Sequence, residues 1–443
     1  MTSLIAVRAA LKTSASEHAT LFASLIDNGK LAHYKSKEAL KRKLGLTGAD
    51  QLWYPSLGKK QAPAGLRKLP SIKELQEICL HDLPEAQEYF GDRLIYFAQS
   101  GIAEDAMEMS EEYAGMQTIN NLTRTDLDAT EAIVMFPSEA LEKMCMEGYK
   151  PPENLLRTAM TTCTVLPSDT LLSLHHSNEG TTVTTLLSGS VIWLIWPPTD
   201  HNRHTLQTAY ENFAEDSDET KLDVANNLEG GMVFVQAEGD GLRIPPFCPM
   251  MSLATKTSVL AINSHITVEN FISTLGNLPL LKAWYQTEVN GDRKLSDSNA
   301  SILRYLDLML NGDADDEDRD KLKLHFTKGG LLDTLLNLWD NIKNDLAAMM
   351  GPAESETMEK IWEAFLIAAK GRECWICDKT IRNKQKLMKN HFVDKHWAKV
   401  RMTKRIDSIE ALDEEQGGAE FAGTMGRTEL ISAEDEDAME VDV

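Results

Sequence analysis

The chain has 443 residues, with 45 Lys and Arg against 68 Asp and Glu, a formal net charge of −23 and 42% hydrophobic residues. That apolar fraction excludes wholesale disorder, and the bulk acidity excludes a protein that coats nucleic acid with its whole surface. No apolar run approaches the ~20 residues of a membrane helix, and six cysteines are too sparse for a disulfide scaffold; the expectation is a nuclear or otherwise cytoplasmic protein, neither secreted nor membrane-bound.

Residues 1–165 read mostly as helices and loops. The opening segment, 1–16, carries Arg8 and Lys12 and no acid, which suits an amphipathic helix start or, as a weaker alternative, an organelle presequence. The Pro-, Gly- and Lys-rich run 54–70 reads as a loop. Directly after it, Ser71 and Glu74 form a capping box that opens a helix. Over residues 166–266 the texture changes to short β-prone runs. Residues 181–187 lead into Ser188-Gly189-Ser190, expected to turn, and into a second strand at 191–196 that Pro197-Pro198 ends. Residues 232–237 read as another strand with Glu238-Gly239-Asp240-Gly241 as its turn, and 258–262 closes the set. Such spacing points to a sandwich or barrel.

Helical periodicity returns over 267–371. Leu331, Leu335, Leu338, Ile342 and Leu346 share one helix face, stopped by Gly351-Pro352. Met358, Ile361, Trp362, Phe365 and Leu366 mark the next helix, ended by Gly371. The acids at 313–318 fail the calcium-loop pattern, because its sixth and twelfth positions fall on Asp318 and Leu324 in place of Gly and Glu. Charge then separates along the chain. Residues 372–405 hold eleven basic residues and three acids, and 406–443 hold one basic residue and thirteen acids. A basic module therefore precedes an acidic tail whose composition predicts disorder.

Inside the basic module, Cys374-Trp375-Ile376-Cys377 is followed after thirteen residues by His391 and after four more by His396. A short cysteine turn supplies two thiolates, and histidines about one helical turn apart supply two imidazoles from one face, the ligand set of a structural zinc site. This stretch resembles the C2H2 zinc-finger family, which implies a small ββα unit holding one Zn2+ on Cys374, Cys377, His391 and His396, with Ile381 and Leu387 as its core. A unit this small depends on its metal for stability. Lys384, Lys386, Lys389 and Lys395, continued by Lys399, Arg401, Lys404 and Arg405, offer phosphate contacts or a nuclear import signal. Possible partners are nucleic acid through 372–405, or chromatin proteins or peptides.

Four further stretches are 174–177, Leu187-Ser188-Gly189, 193–198 and 239–246. Their order and spacing resemble the JmjC family of double-stranded β-helix, cupin-like oxygenases. Active members hold Fe(II) on His-x-Asp or His-x-Glu plus a distal histidine, and many use a lysine against 2-oxoglutarate. The resemblance places His175 on the first ligand, Ser177 on the carboxylate, Met250 on the distal histidine and Val191 on the lysine. A shift of one, to His176, puts neutral Asn178 at the carboxylate. Glu179 is the nearby acid and needs a local bulge to reach a metal. A thioether is a poor ligand for a hard ferrous ion. The resemblance therefore implies a fold without its iron or 2-oxoglutarate, and with no catalytic or cofactor-binding residues.

The expected class is α+β: a helical region 1–165, a JmjC-like β core 166–266, a helical region 267–371, the zinc finger with its basic extension 372–405 and the disordered tail 406–443. The leading functional expectation is a non-catalytic, zinc-finger-containing nuclear binding protein associated with chromatin or nucleic acid. Two alternatives stay open. One is an Fe(II)/2-oxoglutarate protein hydroxylase or histone demethylase with atypical ligands drawn from His175, Glu179, Cys248 and His265. The other is a protein-interaction adaptor whose finger never touches nucleic acid. The remaining cysteines, Cys79, Cys145, Cys163 and Cys248, have no patterned partners and are expected to be buried thiols.

Overall fold

Alternation of apolar residues over two long segments sets the architecture. In the computed structural model, β8 (Thr181–Ile195) and β11 (Pro249–Thr267) run antiparallel from Met250 opposite Ile195 to His265 opposite Thr181. The structure describes residues 4–397 except 15, 29–30, 34–53, 91–95, 100–110, 124–131, 153, 178, 213–217, 288–290, 313–321, 369–372 and 383. All of these fall in one compact unit, Met1–Ala398; the second unit, Lys399–Val443, lies outside the described residues, and the expected basic extension beyond 398 and acidic tail lie with it. Asn178, Gly371 and the acids at 313–318 are also outside.

Each long strand changes pairing partners along its length. The first part of β8 pairs with β10 (Gly241–Ile244), which pairs with β2 (Ser56–Gly58); its second part pairs with β9 (Met232–Ala237), which carries the short parallel β1 (Ala32–His33). β11 likewise pairs early with β7 (Leu171–His176), then with β6 (Thr162–Leu166), and at its end with β5 (Leu155–Thr158). β4 (Ala132–Pro137) and β3 (Tyr96–Gln99) extend the sheet beyond β6.

The turn expected at 188–190 is a kink inside one continuous strand. Gly189 has φ +98°, and a Cβ there would lie 2.5 Å from the Thr257 carbonyl oxygen. Only glycine allows the bend and the close approach to β11, which is itself irregular at this level. The bulge changes which face points inward: Leu186 lies in the interior before it, and Val191, Trp193 and Ile195 lie there after it. In the same way 258–262 is the middle of a nineteen-residue strand, and the segment before residue 166 supplies β1–β6 as well as helices. The run 54–70, expected as loop, contains β2 and a 3-10 turn.

Among the described residues the chain forms thirteen α-helices and eleven strands, an α+β fold. The capping box is present: the Ser71 backbone N–H donates to Glu74 Oε2 at 2.6 Å, the Glu74 N–H donates to Ser71 Oγ at 3.3 Å, and α3 (Ile72–Phe90) begins there. With α4 (Glu111–Asn120) and α5 (Glu139–Met146), it covers one outer face of the sheet. The other outer face is covered by α1 (Leu4–Thr13), α2 (Glu17–Asp27), α6 (Asp200–Glu211) and α9 (Leu278–Thr287). Arg8 and Lys12 both pair with Asp27, fastening α1 to α2 as an ordinary amphipathic helix. α7 (Asp218–Asn227) packs beside α6.

A separate apolar cluster joins α8 (Val268–Leu275), α10 (Gly291–Leu310), α11 (Leu331–Met349), α12 (Pro352–Ala368) and α13 (Lys384–Lys395). All five residues expected on the α12 face are buried. Among the described residues, no helix is long and apolar enough to cross a membrane.

Candidate metal centre

The cysteine pair sits on a tight turn. Glu373 and Thr380 form an isolated antiparallel bridge, the Cys374 N–H donates to the Lys379 carbonyl at 3.0 Å, and the Asp378 N–H donates to the Cys374 carbonyl at 2.7 Å. Asp378 takes φ +56°, a left-handed conformation that Asp tolerates better than most residues. The histidines come from the C-terminal end of α13: His391 lies within the helix, and His396 follows it, its N–H bonded to the Phe392 carbonyl at 2.7 Å.

These elements bring all four ligand atoms within 4.8 Å of one another. Cys374 Sγ is 3.7 Å from His396 Nε2, and Cys377 Sγ is 3.3 Å from His391 Nε2. Cys374 is buried and Cys377 exposed. Burial pushes the Cys374 thiol up to about 11, so binding a cation there requires release of its proton. Burial and the neighbouring His396 lower His391, keeping its imidazole neutral and able to coordinate. Two thiols and two imidazoles so arranged could hold a metal ion.

The surroundings of these residues extend beyond a self-contained module. Ile381, Met388, Phe392 and Trp397 share the apolar cluster of α11 and α12. Phe392 stacks on Trp362 at 5.5 Å, and Trp339 lies 4.3 Å from Trp362, centroid to centroid. Lys389, one of the basic residues expected to face a partner, pairs with Glu363 of α12 at 3.5 Å. The side chains of Lys384, Lys386 and Leu387 are outside those described.

Among the described residues one other ligand-like group occurs, His81, Asp82 and Glu85 on α3. Its central carboxylate is committed elsewhere: Asp82 Oδ2 accepts from Ser138 Oγ and from the Ala140 N–H at 3.1 Å, at the start of α5.

The β-core positions singled out from sequence are adjacent but chemically engaged. His175 lies directly opposite Met250 across β7 and β11, and its Nδ1 is bonded to the Ser173 carbonyl at 2.7 Å. Ser177 Oγ donates to the Pro245 carbonyl at 2.6 Å and accepts from the Cys248 N–H at 2.9 Å, so it clips β7 to the 245–248 turn. Glu179 accepts from the Tyr285 hydroxyl at 3.1 Å. His265 sits at the far end of β11, opposite Thr181. Thus His175, Glu179, Cys248 and His265 do not form one of the ligand groups found among the described residues.

Val191 is fully buried in a cluster with Trp193, Phe234, Leu242, Ile244 and Cys248 that draws on β8, β9, β10 and the 245–248 turn. Its polar end is closed by Trp193 Nε1, which donates to Gln236 Oε1 at 2.9 Å, while Gln236 Nε2 donates to the Thr184 and Asp240 carbonyls, each at 2.9 Å. Neither iron nor 2-oxoglutarate, which only the resemblance brings in, fits these residues: Ser177, where it places a carboxylate, is a hydrogen-bonded hydroxyl, and Val191, where it places a lysine, is a packed alkyl group.

His176, the alternative first ligand, is a core histidine. The Tyr210 hydroxyl accepts from its backbone N–H at 3.1 Å and meets its Nδ1 at 2.9 Å, while Phe247 stacks on the ring at 5.9 Å and Trp284 meets it edge-on at 5.2 Å. Burial, aided by neighbouring His175, lowers its pKa to about 3. In comparisons with known proteins, no family model matches the chain and no curated protein matches it either.

Proposed function

We propose that the protein is a non-catalytic binding protein built on a JmjC-like double-stranded β-helix that has lost its iron site, with one structural Zn2+ held by Cys374, Cys377, His391 and His396. The observation that carries the zinc assignment is the gathering of those four ligand atoms within 4.8 Å. A tetrahedron built from Zn–S bonds of about 2.3 Å and Zn–N bonds of about 2.0 Å has mixed edges of about 3.5 Å. The sulfur–nitrogen distances of 3.3 and 3.7 Å bracket that value. The β-helix reading is supported by the two long strands that each change pairing partners along their length, and by His175 lying opposite Met250. These are the positions at which the resemblance expects two iron-binding histidines.

Of the two partner classes expected from sequence, we favour protein over nucleic acid. The apolar residues of α13 are committed to the chain's own helices, and Lys389 is paired within the chain. A single finger reads only about three base pairs, so this module suits bracing better than sequence reading. The basic run ending at Arg405 supports a nuclear location.

Metal analysis of the purified full chain tests the reading. Close to one zinc and no iron per chain is expected, with no 2-oxoglutarate-dependent turnover. Stoichiometric iron together with conversion of 2-oxoglutarate to succinate overturns it. Steeply salt-dependent binding to DNA returns the partner to nucleic acid.

A further inference from the structure

The sequence motif defines four ligands, but one of them is held from outside the motif. His396 and the residue before it are held by three residues of α11. Asp340 Oδ1 lies 3.2 Å from His396 Nδ1, Trp339 Nε1 donates to the His396 carbonyl at 2.9 Å, and Lys343 Nζ donates to the Lys395 carbonyl at 3.0 Å. Lys343 also pairs with Asp340 at 2.7 Å, steadying the carboxylate. Positions 339, 340 and 343 fall on one side of the helix, facing the end of α13.

From this arrangement we infer that Asp340 is a positioning residue for the metal centre, acting through His396; the inference rests on the zinc reading above. An imidazole has two nitrogens, and only the one without a proton coordinates. When Nδ1–H donates to Asp340, the Nε2 lone pair is left facing Cys374. The carboxylate fixes the ring's rotation and increases the electron density of the coordinating nitrogen, as metal-bound histidines generally require of a partner. The consequence is that part of the site's affinity is encoded in a helix more than thirty residues ahead of its first ligand. Retention of zinc then depends on the packing of α11, which a free-standing finger does not require.

The test uses the full chain, purified without metal, and measures Zn2+ affinity by competition with a chromophoric chelator and Co2+ binding by visible absorption. Asp340→Ala is expected to weaken Zn2+ binding by about 10–100-fold. Its Co2+ complex should keep the tetrahedral two-sulfur, two-nitrogen spectrum, because every ligand remains. Asp340→Asn, whose side-chain carbonyl still accepts from Nδ1–H, should recover part of the loss. Asn344→Ala, an exposed change on the same helix, should change nothing.

Unchanged Zn2+ affinity in Asp340→Ala overturns the inference. So does a loss matched by an equal fall in the stability of the metal-free protein, because a purely structural role would give that result. If the wild-type chain binds neither metal, or if Cys377→Ser binds them as tightly, the zinc reading itself fails.

Discussion

Two regions of this molecule contain residues that the sequence singles out as candidate metal ligands, and they have opposite chemistry. In the β core, His175 and Met250 face each other across paired strands, but the neighbouring positions are occupied by a hydroxyl clip, Ser177, and a packed alkyl group, Val191. At the C-terminal end, four soft or borderline donors converge, and their surroundings hold them in place. The first region is held by apolar burial and by hydrogen bonds at positions where the resemblance would place ligands. The second could hold a metal ion, and its apolar residues pack into the cluster of α11 and α12. A β core can exchange one interior side chain for another of similar volume and stay folded. A small metal-bound unit cannot exchange its ligands in that way, because they supply most of its stability.

The largest test of this contrast is Cys377→Ser. Cys377 is exposed, so the change removes a ligand without opening a cavity. Zinc contributes about 10–16 kcal/mol of apparent binding free energy in isolated finger peptides. The variant should lose hydrogen-exchange protection in α13 and in the faces of α11 and α12 that pack on it, while β8 and β11 stay protected. Loss of protection in both regions together would show that they unfold as one unit.

Ser177→Ala should give a smaller effect, confined to the β core. It leaves the Cys248 N–H and the Pro245 carbonyl without their side-chain partner, at a cost of about 1–3 kcal/mol. Urea denaturation followed by core tryptophan fluorescence measures it. A stabilising result would mean that the clip is not what holds β7 to the turn.

His176→Gln gives the most specific effect, because it is read from its pH dependence. The folded pKa of His176 is about 3, below the ordinary value near 6.5. Between those two values the unfolded chain binds the additional proton. His176 therefore contributes its full stability above about pH 6.5, and loses it progressively as pH falls toward 3. The stability difference between wild type and variant should shrink over that interval. A difference independent of pH would place the charge-sensitive group elsewhere.

Local features were the legible ones. The Ser71–Glu74 box, the five apolar positions of α12 and the four clustered ligands each follow from spacing within a single element or a short turn. Long strands were harder to read. Ser188-Gly189-Ser190 has the composition of a hairpin turn, and only pairing with β11 shows that the chain continues through it. The strands before residue 166 are β by partnership as much as by propensity. Asp340 carried no signal, because it reaches His396 across 56 positions of chain. Met388 and Phe392 are buried in the cluster that holds Ile381, and the side chain of the expected Leu387 lies outside those described.

β11 provides pairing edges to β5, β6, β7 and β8, and it comes after all of them in the chain. A ribosome adding roughly 5–20 residues per second therefore delivers four strands before their shared neighbour emerges. Until β11 has been made, β5 and β7 lack the strand they pair with among the described residues. Nascent chains of this protein spend that interval with adhesive edges open to solvent, a period in which folding helpers would have the most to shield.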